Sequence, residues 1–313
     1  MNQFKVQNSK IHHLFSGERL VSFNNCGDTE FYDFINRYLV EEGSDGVIRL
    51  SAANLNYKVL QLEQDCSDDA FDTIVDGHII KAYPLKQLGK IQTSPASAFE
   101  VIPNVSHSGK IMGIMQSVKL KNDFAPPLVN SIINSLRIST NKQYNTLLKN
   151  MHKQNKRTQK DNQKCDRYIM FVFSIKDNFG NEVSDYDMLL LAGKKYKPST
   201  LPKGFFLDKQ KNRMSGALVY YLNYDKLKKI KDGKFGIRIV ARPDKGFSHY
   251  ITAEFRSEDI DLHEFLNPNE TVMINVVLQR QISKNSFVLD KIGESQSDEG
   301  SFKSRGIGSV FIE

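Results

Sequence analysis

The sequence predicts an α/β part followed by a β-rich, sandwich-like domain. Up to about residue 155, short apolar runs alternate with segments whose apolar side chains recur at the spacing of an amphipathic helix. After residue 165, short apolar runs follow one another and are separated by Gly, Asn, Asp and Pro, as in antiparallel sandwiches and barrels. We therefore expect domains at 1–155 and 165–313, with the basic stretch from Lys149 to Lys164 forming a helix end and a linker.

The elements of the first part alternate between strand and helix. A strand at 19–23 precedes a helix whose apolar face contains Phe31, Phe34, Ile35, Tyr38 and Leu39. Further strands are expected at 47–50, 59–62, 79–85 (ended by Pro84) and 99–102, with an Asp-rich loop at 65–76. Two more helices are expected, one opening at Pro126 and one continuing from Tyr144 to Met151.

The second part consists of strands. Apolar runs bounded by turn residues predict strands at 168–175, 186–191, 218–222, 236–241, 249–255 and 272–278.

Composition and charge limit the class of protein. The formal net charge of +7 fits either a basic surface for anionic lipid headgroups or an ordinary solvated surface. The basic stretch has no aromatic residues for base stacking, so we expect no nucleic-acid partner. No apolar run is long enough to span a membrane, and Met1 to Lys5 does not resemble a secretory signal. Three scattered cysteines without a C-x-x-C pair favour separate thiols in the cytoplasm, and we expect neither metal nor cofactor.

Two short loops carry the candidate chemistry. Gly43-Ser44-Asp45-Gly46 and the loop at 103–109, which contains His107, each lie downstream of a predicted strand. A carboxylate that precedes a histidine is the order of the last two members of an α/β-hydrolase triad, Ser…Asp/Glu…His. In such a triad, the imidazole takes the proton of the nucleophile and the carboxylate orients the ring. Glycines beside Asp45 and His107 allow the sharp turns that such loops need.

Ordinary structural roles compete with this interpretation. Ser-Asp-Gly is a common turn sequence, and Ser-His-Ser-Gly alone is no more specific. Asp28 is a second acid after a strand, but capping of a helix accounts for it. The other histidines have no glycine turn after a strand, and we assign them surface or structural roles.

The sequence segments around the two loops resemble those of a known family. Residues 43–57 (GSDGVIRLSAANLNY) resemble the acid-loop segment of bacterial α/β-hydrolases of the lipase and phospholipase type, in which SDGVVR…ANLN surrounds the triad Asp. Residues 105–112 resemble the histidine loop of the same group, and segments at 177–187 and 220–224 look like its β-rich extension. The resemblance implies a partial α/β-hydrolase sheet and hydrolysis of carboxylic esters of lipids through an acyl-enzyme. It also implies that Asp45 is the triad acid and His107 the base.

The nucleophile is missing from this pattern. No G-x-S-x-G and no HGGG-type loop occur, and Ser97, Ser106 and Ser215 lie outside elbow contexts. We therefore expect a carboxyl-terminal fragment that hydrolyses esters poorly or not at all alone. A truncated or misassigned reading frame is favoured. A separate amino-terminal half-chain and retention of the fragment for its β-rich domain are the alternatives.

Two other functions remain open at this stage. In the alternative, the β-rich domain is a non-catalytic module that binds a membrane surface or a partner protein. This alternative requires that its aromatic side chains are exposed and do not form the core. They are Phe205, Phe206, Tyr220, Tyr221 and Tyr224, with Lys226, Lys228, Lys229 and Lys231 nearby. The Asp-rich loop offers oxygen ligands that suit calcium, although the spacing is not that of an EF-hand. Those aspartates are Asp65, Asp68, Asp69, Asp72 and Asp76.

Overall fold

The structure of the chain is a computed structural model that describes residues 48–67, 69–75, 77–102, 126–161, 166–212, 215–230, 234–242, 248–259, 265–282, 288–289 and 302–303. The predictions for residues 1–47, which include the first strand and helix, lie outside this range.

Helices are few within this part of the chain. They are α1 (Leu50–Ala53), α2 (Pro126–Leu136), α3 (Asn141–Asp161) and α4 (Tyr224–Leu227), with short 3-10 turns at Pro198–Thr200 and Ser257–Asp259. Among the helices described, none combines the length and the apolar composition needed to cross a membrane.

Strands make up most of the fold. They are β1 (Tyr57–Gln64), β2 (Phe71–Val75), β3 (His78–Gln87), β4 (Gln92–Thr93), β5 (Tyr168–Asp177), β6 (Tyr186–Ala192), β7 (Phe206–Lys211), β8 (Leu218–Asn223), β9 (Phe235–Ala241), β10 (Ser248–Tyr250), β11 (Thr252–Arg256), β12 (Thr271–Leu278), β13 (Arg280–Ile282), β14 (Val288–Leu289) and β15 (Phe302–Lys303).

One mixed sheet of eleven strands joins both parts of the chain. Its order is β6-β9-β11-β3-β1-β12-β5-β8-β7, while β2 pairs with β3 and β4 with β1. β12 is parallel to both of its neighbours, β1 and β5, and β11 is parallel to β3; the other pairs of this sheet are antiparallel. Because β1 lies between β3 and β12, the expected separation into an α/β-hydrolase sheet and a β-sandwich is not confirmed. The domain limits at 155 and 165 stay a prediction.

The sheet curls around one apolar core. The rings of Phe171 in β5 and Phe235 in β9 lie 6.2 Å apart, although four strands separate β5 from β9 in the sheet order. Phe205, just before β7, also contacts Phe235, at 6.2 Å. Buried residues from strands at both ends of the sheet therefore form a single cluster, and their burial supplies the main stabilisation of the fold.

Alternation of side chains sets which face of each strand enters this core. In β5, Ile169, Phe171, Phe173 and Ile175 are buried, with partly exposed residues between them. β12 repeats the pattern, as expected when successive side chains point to opposite faces. The predicted strands at 168–175, 186–191, 218–222, 236–241 and 272–278 are confirmed, and the run at 249–255 divides into β10 and β11.

Before residue 100, the strands predicted at 59–62 and 79–85 are confirmed as parts of β1 and β3, and three details need correction. The expected strand at 47–50 gives way to α1, whose residues Leu-Ser-Ala-Ala form one helical turn. Pro84 does not end its strand. It is the last residue of β3 in register with β11, and pairing with β1 begins at Leu85. The carbonyl of Pro84 also accepts a hydrogen bond from the amide of Asp65. The Asp-rich loop contains β2, because residues 71–75 pair in continuous antiparallel register with residues 78–82 of β3.

The strand predicted at 99–102 is wrong because side chains replace regular backbone pairing there, and the helix end predicted from Lys149 extends further than expected. Residues 99–102 are buried or half-buried and extended, but they form no strand; their backbone groups bond to α3 instead. The expected basic linker is helical as far as Asp161, since Tyr144, Met151 and Thr158 give α3 one continuous inward face.

A buried ionic network joins β2 to the β9–β11 end of the sheet. Glu254 is fully buried, and its Oε2 lies 2.7 Å from Arg238 Nε and accepts from the Thr73 hydroxyl at 2.9 Å. Its Oε1 lies 2.8 Å from Arg256 Nε. Arg238 also donates to the carbonyl of Ile74 at 2.6 Å. The charge of Glu254 is therefore compensated on both oxygens, as a buried carboxylate requires.

Candidate functional site

The two predicted triad residues lie outside the described part of the chain. Asp45 precedes residue 48, and His107 falls within 103–125. Their assignment stays a prediction. The segments that follow Asp45 and precede His107 are described, and they define where the candidate site is anchored.

The two anchoring segments pack against each other. Leu50 and Ala53 of α1 form a small buried apolar cluster with Phe99 and Val101. All four residues are less than a tenth exposed. Contact within this cluster brings together two stretches of chain that are nearly fifty residues apart in sequence.

Hydrogen bonds hold α1 against the beginning of the central strand β12. Thr271, the first residue of β12, donates its hydroxyl to the carbonyl of Ser51 at 2.9 Å. Asn54, just after α1, donates to the carbonyl of Asn269 at 2.7 Å. A helix of four residues has little intrinsic stability, so these tertiary contacts hold it in place.

An arginine links the start of α1 to the other end of the sheet. Arg49 is buried, and its guanidinium carbon lies 3.9 Å from the centre of the Tyr221 ring. Its Nη2 lies 3.1 Å from Asp208 Oδ2 in β7. Burial of Asp208 opposes its ionisation. Hydrogen bonds from the Gln210 side chain and the Lys209 amide, together with the charge of Arg49, nevertheless lower the pKa of Asp208 below the usual value. The segment after Asp45 is thus tied to β7 and β8.

The segment before His107 is held by α3. The amide of Val101 donates to Asn155 Oδ1, and Asn155 Nδ2 donates to the carbonyl of Phe99, both at 2.8 Å. The amide of Ala98 donates to the Tyr144 hydroxyl at 2.8 Å. Asn155 therefore replaces a missing neighbouring strand by satisfying one donor and one acceptor of an extended backbone.

A paired asparagine contact links this segment to β1. Asn56 Nδ2 donates to the carbonyl of Ser97 at 2.9 Å, and its Oδ1 accepts from the amide of Ser97 at 2.8 Å. Asn54 and Asn56 belong to the ANLN sequence that the resemblance singled out. Their described role is to fix the backbone around the candidate site.

A cavity of about 600 Å³ lies beside these anchors. One part of its lining is apolar and includes Leu50, Phe99, Val101 and Leu148. Another part is polar and includes Arg167, Tyr224, Lys228 and Glu270. The lining thus offers both an apolar surface and cationic groups.

The polar part of the cavity has well-defined electrostatics. Arg167 Nε lies 3.0 Å from both carboxylate oxygens of Asp225, and its guanidinium carbon is 5.1 Å from the Tyr224 ring centre. Hydrogen bonding to Asp225 raises the pKa of Arg167, which stays charged. Lys228 Nζ lies 4.9 Å from the same ring centre. Burial raises the pKa of Glu270 and so disfavours its charged form, and Asp166 is a second carboxylate of the lining.

The Asp-rich segment is engaged in other contacts. Asp65 accepts from the hydroxyl of Ser67 and pairs with Lys86 at 2.9 Å, and these bonds, with one from the Ser67 amide, lower its pKa. Asp72 pairs with Lys81 at 2.7 Å. Asp68 and Asp76 lie outside the described residues. Among the residues that are described, no three His, Cys, Asp or Glu side chains converge as metal ligands.

The aromatic residues considered for a binding surface belong to the core. Phe205, Tyr220, Tyr221 and Tyr224 are each less than a tenth exposed, and only Phe206 of this set is exposed. The alternative of an exposed aromatic surface on the β-rich domain therefore lacks its aromatic residues. Tyr220 packs in the core, with its ring centre 5.7 Å from that of Phe173, while Tyr221 lies on the opposite face of β8 and is covered by Arg49.

Sequence reasoning missed the residues that anchor the site. Arg49, Asn155 and Arg167 act through partners that are more than fifty residues away in sequence. The only available signal was the ANLN sequence, which contains Asn54 and Asn56.

Solved structures resemble this chain, whereas no family model and no curated protein matches it. Phospholipase PlaB from Legionella pneumophila in complex with thio-NAD superimposes with a TM-score of 0.70 at 31% identity, covering 88% of this chain and 61% of that one. A second structure of PlaB gives a TM-score of 0.70 at 30% identity, covering 93% of this chain and 60% of that one. The chain spans about three fifths of the PlaB chains. The expected likeness to a lipase or phospholipase is therefore confirmed for the fold: this chain resembles three fifths of a Legionella phospholipase.

Proposed function

We propose that this chain carries the acid and the base of a lipid ester hydrolase of the Ser-His-Asp type, and that the serine is supplied from outside these 313 residues. The observation that carries the proposal is the likeness to phospholipase PlaB over 88% of the chain at 31% identity. The Asp and His loops supply the residue types that this chemistry needs.

Chain connectivity supports a common location for the two loops. Asp45 lies five residues before Leu50, and His107 lies six residues after Val101, while Leu50 and Val101 belong to one buried cluster. Since an extended chain spans at most about 3.6 Å per residue, the two residues lie within about 18 Å and about 22 Å of their anchors. The anchors are rigid, because each is hydrogen-bonded to the sheet or to α3.

The proposed reaction is acyl transfer in two steps. His107 takes the proton of the serine hydroxyl as the oxygen attacks the ester carbonyl, and then gives that proton to the departing alcohol. A water molecule, deprotonated by the same imidazole, attacks the acyl-enzyme and releases the fatty acid. Asp45 orients the imidazole and stabilises its charged form.

The adjacent cavity fits an amphipathic substrate. Apolar side chains such as Phe99 and Leu148 can contact acyl carbons, and Lys156 and Lys228, which also line the cavity, present positive charge to a phosphate. A phospholipid combines both features in one molecule. We therefore place phospholipids first among the candidate esters.

The test compares this chain with the polypeptide that also includes the sequence encoded upstream. We expect the longer polypeptide to release fatty acid from phospholipid and to react with a fluorophosphonate probe, and the 313-residue chain to do neither. Asp45→Asn and His107→Asn should each lower kcat/KM of the longer polypeptide by at least about 1,000-fold. His78→Asn, at an exposed histidine, is the matched control and should leave kcat/KM unchanged.

Three results would contradict the proposal. Probe labelling of the 313-residue chain would place the nucleophile within it. An upstream sequence without a serine elbow would remove the source of the nucleophile. Full activity of the Asp45 and His107 variants would remove their roles.

A further inference from the structure

The outward face of α3 is a continuous row of positive charge. Its members are Lys142, Lys149, Lys153, Lys156, Arg157 and Lys160, and all six are exposed. Position 161, at the end of the helix, is the only acidic position in α3. Among the described residues, no carboxylate lies within ion-pair distance of any of these six cations.

Helix geometry aligns these charges on one side. At about 100° per residue, the five lysines fall within a sector of about 60°, and Arg157 lies about 40° beyond it. Met151 and Thr158 fall on the opposite side, and both are buried. Since Lys142 and Lys160 are eighteen residues apart, the row extends over about 27 Å. We call this row the cationic face of α3.

The neighbouring helix exposes apolar side chains instead of burying them. In α2, Ser131 and Ser135 are buried, while Ile133 is 37% and Leu136 is 63% exposed. The buried serines are satisfied, because Ser131 donates to Glu100 and Ser135 donates to the carbonyl of Ser131 at 2.8 Å. The bond from Ser131 to Glu100 thus turns the serine side of α2 inward and leaves Ile133 and Leu136 exposed.

The two helices are held side by side. Thr140 and Gln143 cap the start of α3 reciprocally: the Gln143 amide donates to Thr140 Oγ1 at 3.3 Å, and Gln143 Oε1 accepts from the Thr140 amide at 3.1 Å. Arg137, just after α2, and Lys142 line one shallow groove between the helices. The exposed apolar residues Ile133 and Leu136 therefore belong to the helix that flanks α3.

We propose that the cationic face of α3, together with Ile133 and Leu136, docks the protein on membranes that contain anionic phospholipids. Lysines near an anionic bilayer each contribute favourable free energy that sums over the row. Exposed apolar residues beside such a row can enter the interface between headgroups and acyl chains. The choice of lipid as partner rests on the proposed function, but the docking itself needs no catalysis.

Nucleic acid is the competing anionic partner, and the residues favour lipid. The cationic face of α3 carries no aromatic side chain on which a base could stack. Tyr144 of α3 is half-buried, and its hydroxyl accepts a hydrogen bond from the amide of Ala98 and donates one to the carbonyl of Ala96. Exposed isoleucine and leucine serve an apolar interface and gain nothing from a phosphate backbone.

Vesicle co-sedimentation of the 313-residue chain tests the proposal. The vesicles contain either ether-linked phosphatidylcholine alone or equal parts of ether-linked phosphatidylglycerol and phosphatidylcholine, so that no ester can be hydrolysed. We expect binding to the anionic vesicles only, weakening as salt screens the charges. Equal binding to both kinds of vesicle, or binding to neither, would overturn the proposal, as would binding to duplex or single-stranded DNA without binding to vesicles.

Charge-neutral variants identify the surface. Lys149→Gln, Lys153→Gln and Lys160→Gln together should lower the partition coefficient by about 100-fold, while glutamine keeps the helix propensity. The control combines Lys194→Gln, Lys195→Gln and Lys203→Gln, which remove the same charge from exposed sites elsewhere, and it should bind nearly as the parent does. Equal weakening of the two triple variants would overturn the proposal. Circular dichroism checks that both remain folded.

The apolar residues have a separate test. Ile133→Ser with Leu136→Ser should lower partitioning by about tenfold with the salt dependence retained, and unchanged partitioning would remove these residues from the docking surface. A chain that binds anionic vesicles while its longer form releases no fatty acid would overturn the proposed function alone. An active longer form that ignores anionic vesicles would overturn the docking alone.

Discussion

Asn155 offers a sharp test of how the segment before His107 is held. Its side chain makes two 2.8 Å hydrogen bonds, one from the amide of Val101 and one to the carbonyl of Phe99. Both of these residues are less than a tenth exposed, so water cannot readily replace the lost bonds. Asn155→Ala should therefore leave one buried donor and one buried acceptor unsatisfied.

The magnitude follows from these two bonds. Each unsatisfied buried group costs about 1–3 kcal/mol, and the better helix propensity of alanine returns about 0.5 kcal/mol. We expect the free energy of unfolding to fall by about 1.5–5.5 kcal/mol and the Tm by about 2–8 °C for a chain of 313 residues. In the proposed longer polypeptide, kcat should fall as well, because the backbone that leads to His107 loses its support.

Urea and thermal unfolding, with Asn145→Ala as control, measure this effect. Asn145 is exposed on the same helix, and its replacement by alanine should be neutral or slightly stabilising. Equal stability of the Asn155 and Asn145 variants would refute the reasoning. So would an Asn155 variant with unaltered kcat at a temperature where it is folded.

Three further predictions concern the sheet and its electrostatics. Glu254→Gln should lower the free energy of unfolding in urea by about 3–5 kcal/mol, because it leaves two arginine side chains without their buried partner. Gly236→Ala should destabilise by about 1–3 kcal/mol in the same assay, since the added Cβ would lie 2.8 Å from the Phe255 carbonyl oxygen. Burial raises the pKa of Glu270, so the folded state holds this proton more tightly than the unfolded state. The resulting contribution to stability is present below the unfolded pKa of about 4.3 and is lost as the pH rises through the folded pKa. Glu270→Gln should remove that part of the pH dependence, and an unchanged pH profile of unfolding would contradict the assignment.

Most strands after residue 165 were predictable because their signal is local. The alternation in β5 and β12, from Ile169 and from Val272 onward, decides both the element and its buried face. Turn residues then mark the ends of the strands. The similarity to a phospholipase could also be predicted, from the sequence segments around Asp45 and His107.

The arrangement of the sheet was not predictable, since it depends on pairs that are distant in sequence. β1 pairs with β12 although more than two hundred residues separate Tyr57 from Thr271. Segments supported by side chains were missed for the same reason: 99–102 looks like a strand, but Asn155 takes the place of a neighbouring strand. α1 looks like a strand end, but the hydroxyl of Thr271 and the amide of Asn54 hold it as a helical turn.

The central claim concerns one hydrogen bond. A crystal structure of the proposed longer polypeptide would measure the distance between the Asp45 carboxylate and His107 Nδ1. We predict about 3 Å or less, with Nε2 of the same ring facing a serine hydroxyl. A His107 ring that contacts other groups or solvent, with Asp45 beyond hydrogen-bonding distance, would contradict the account.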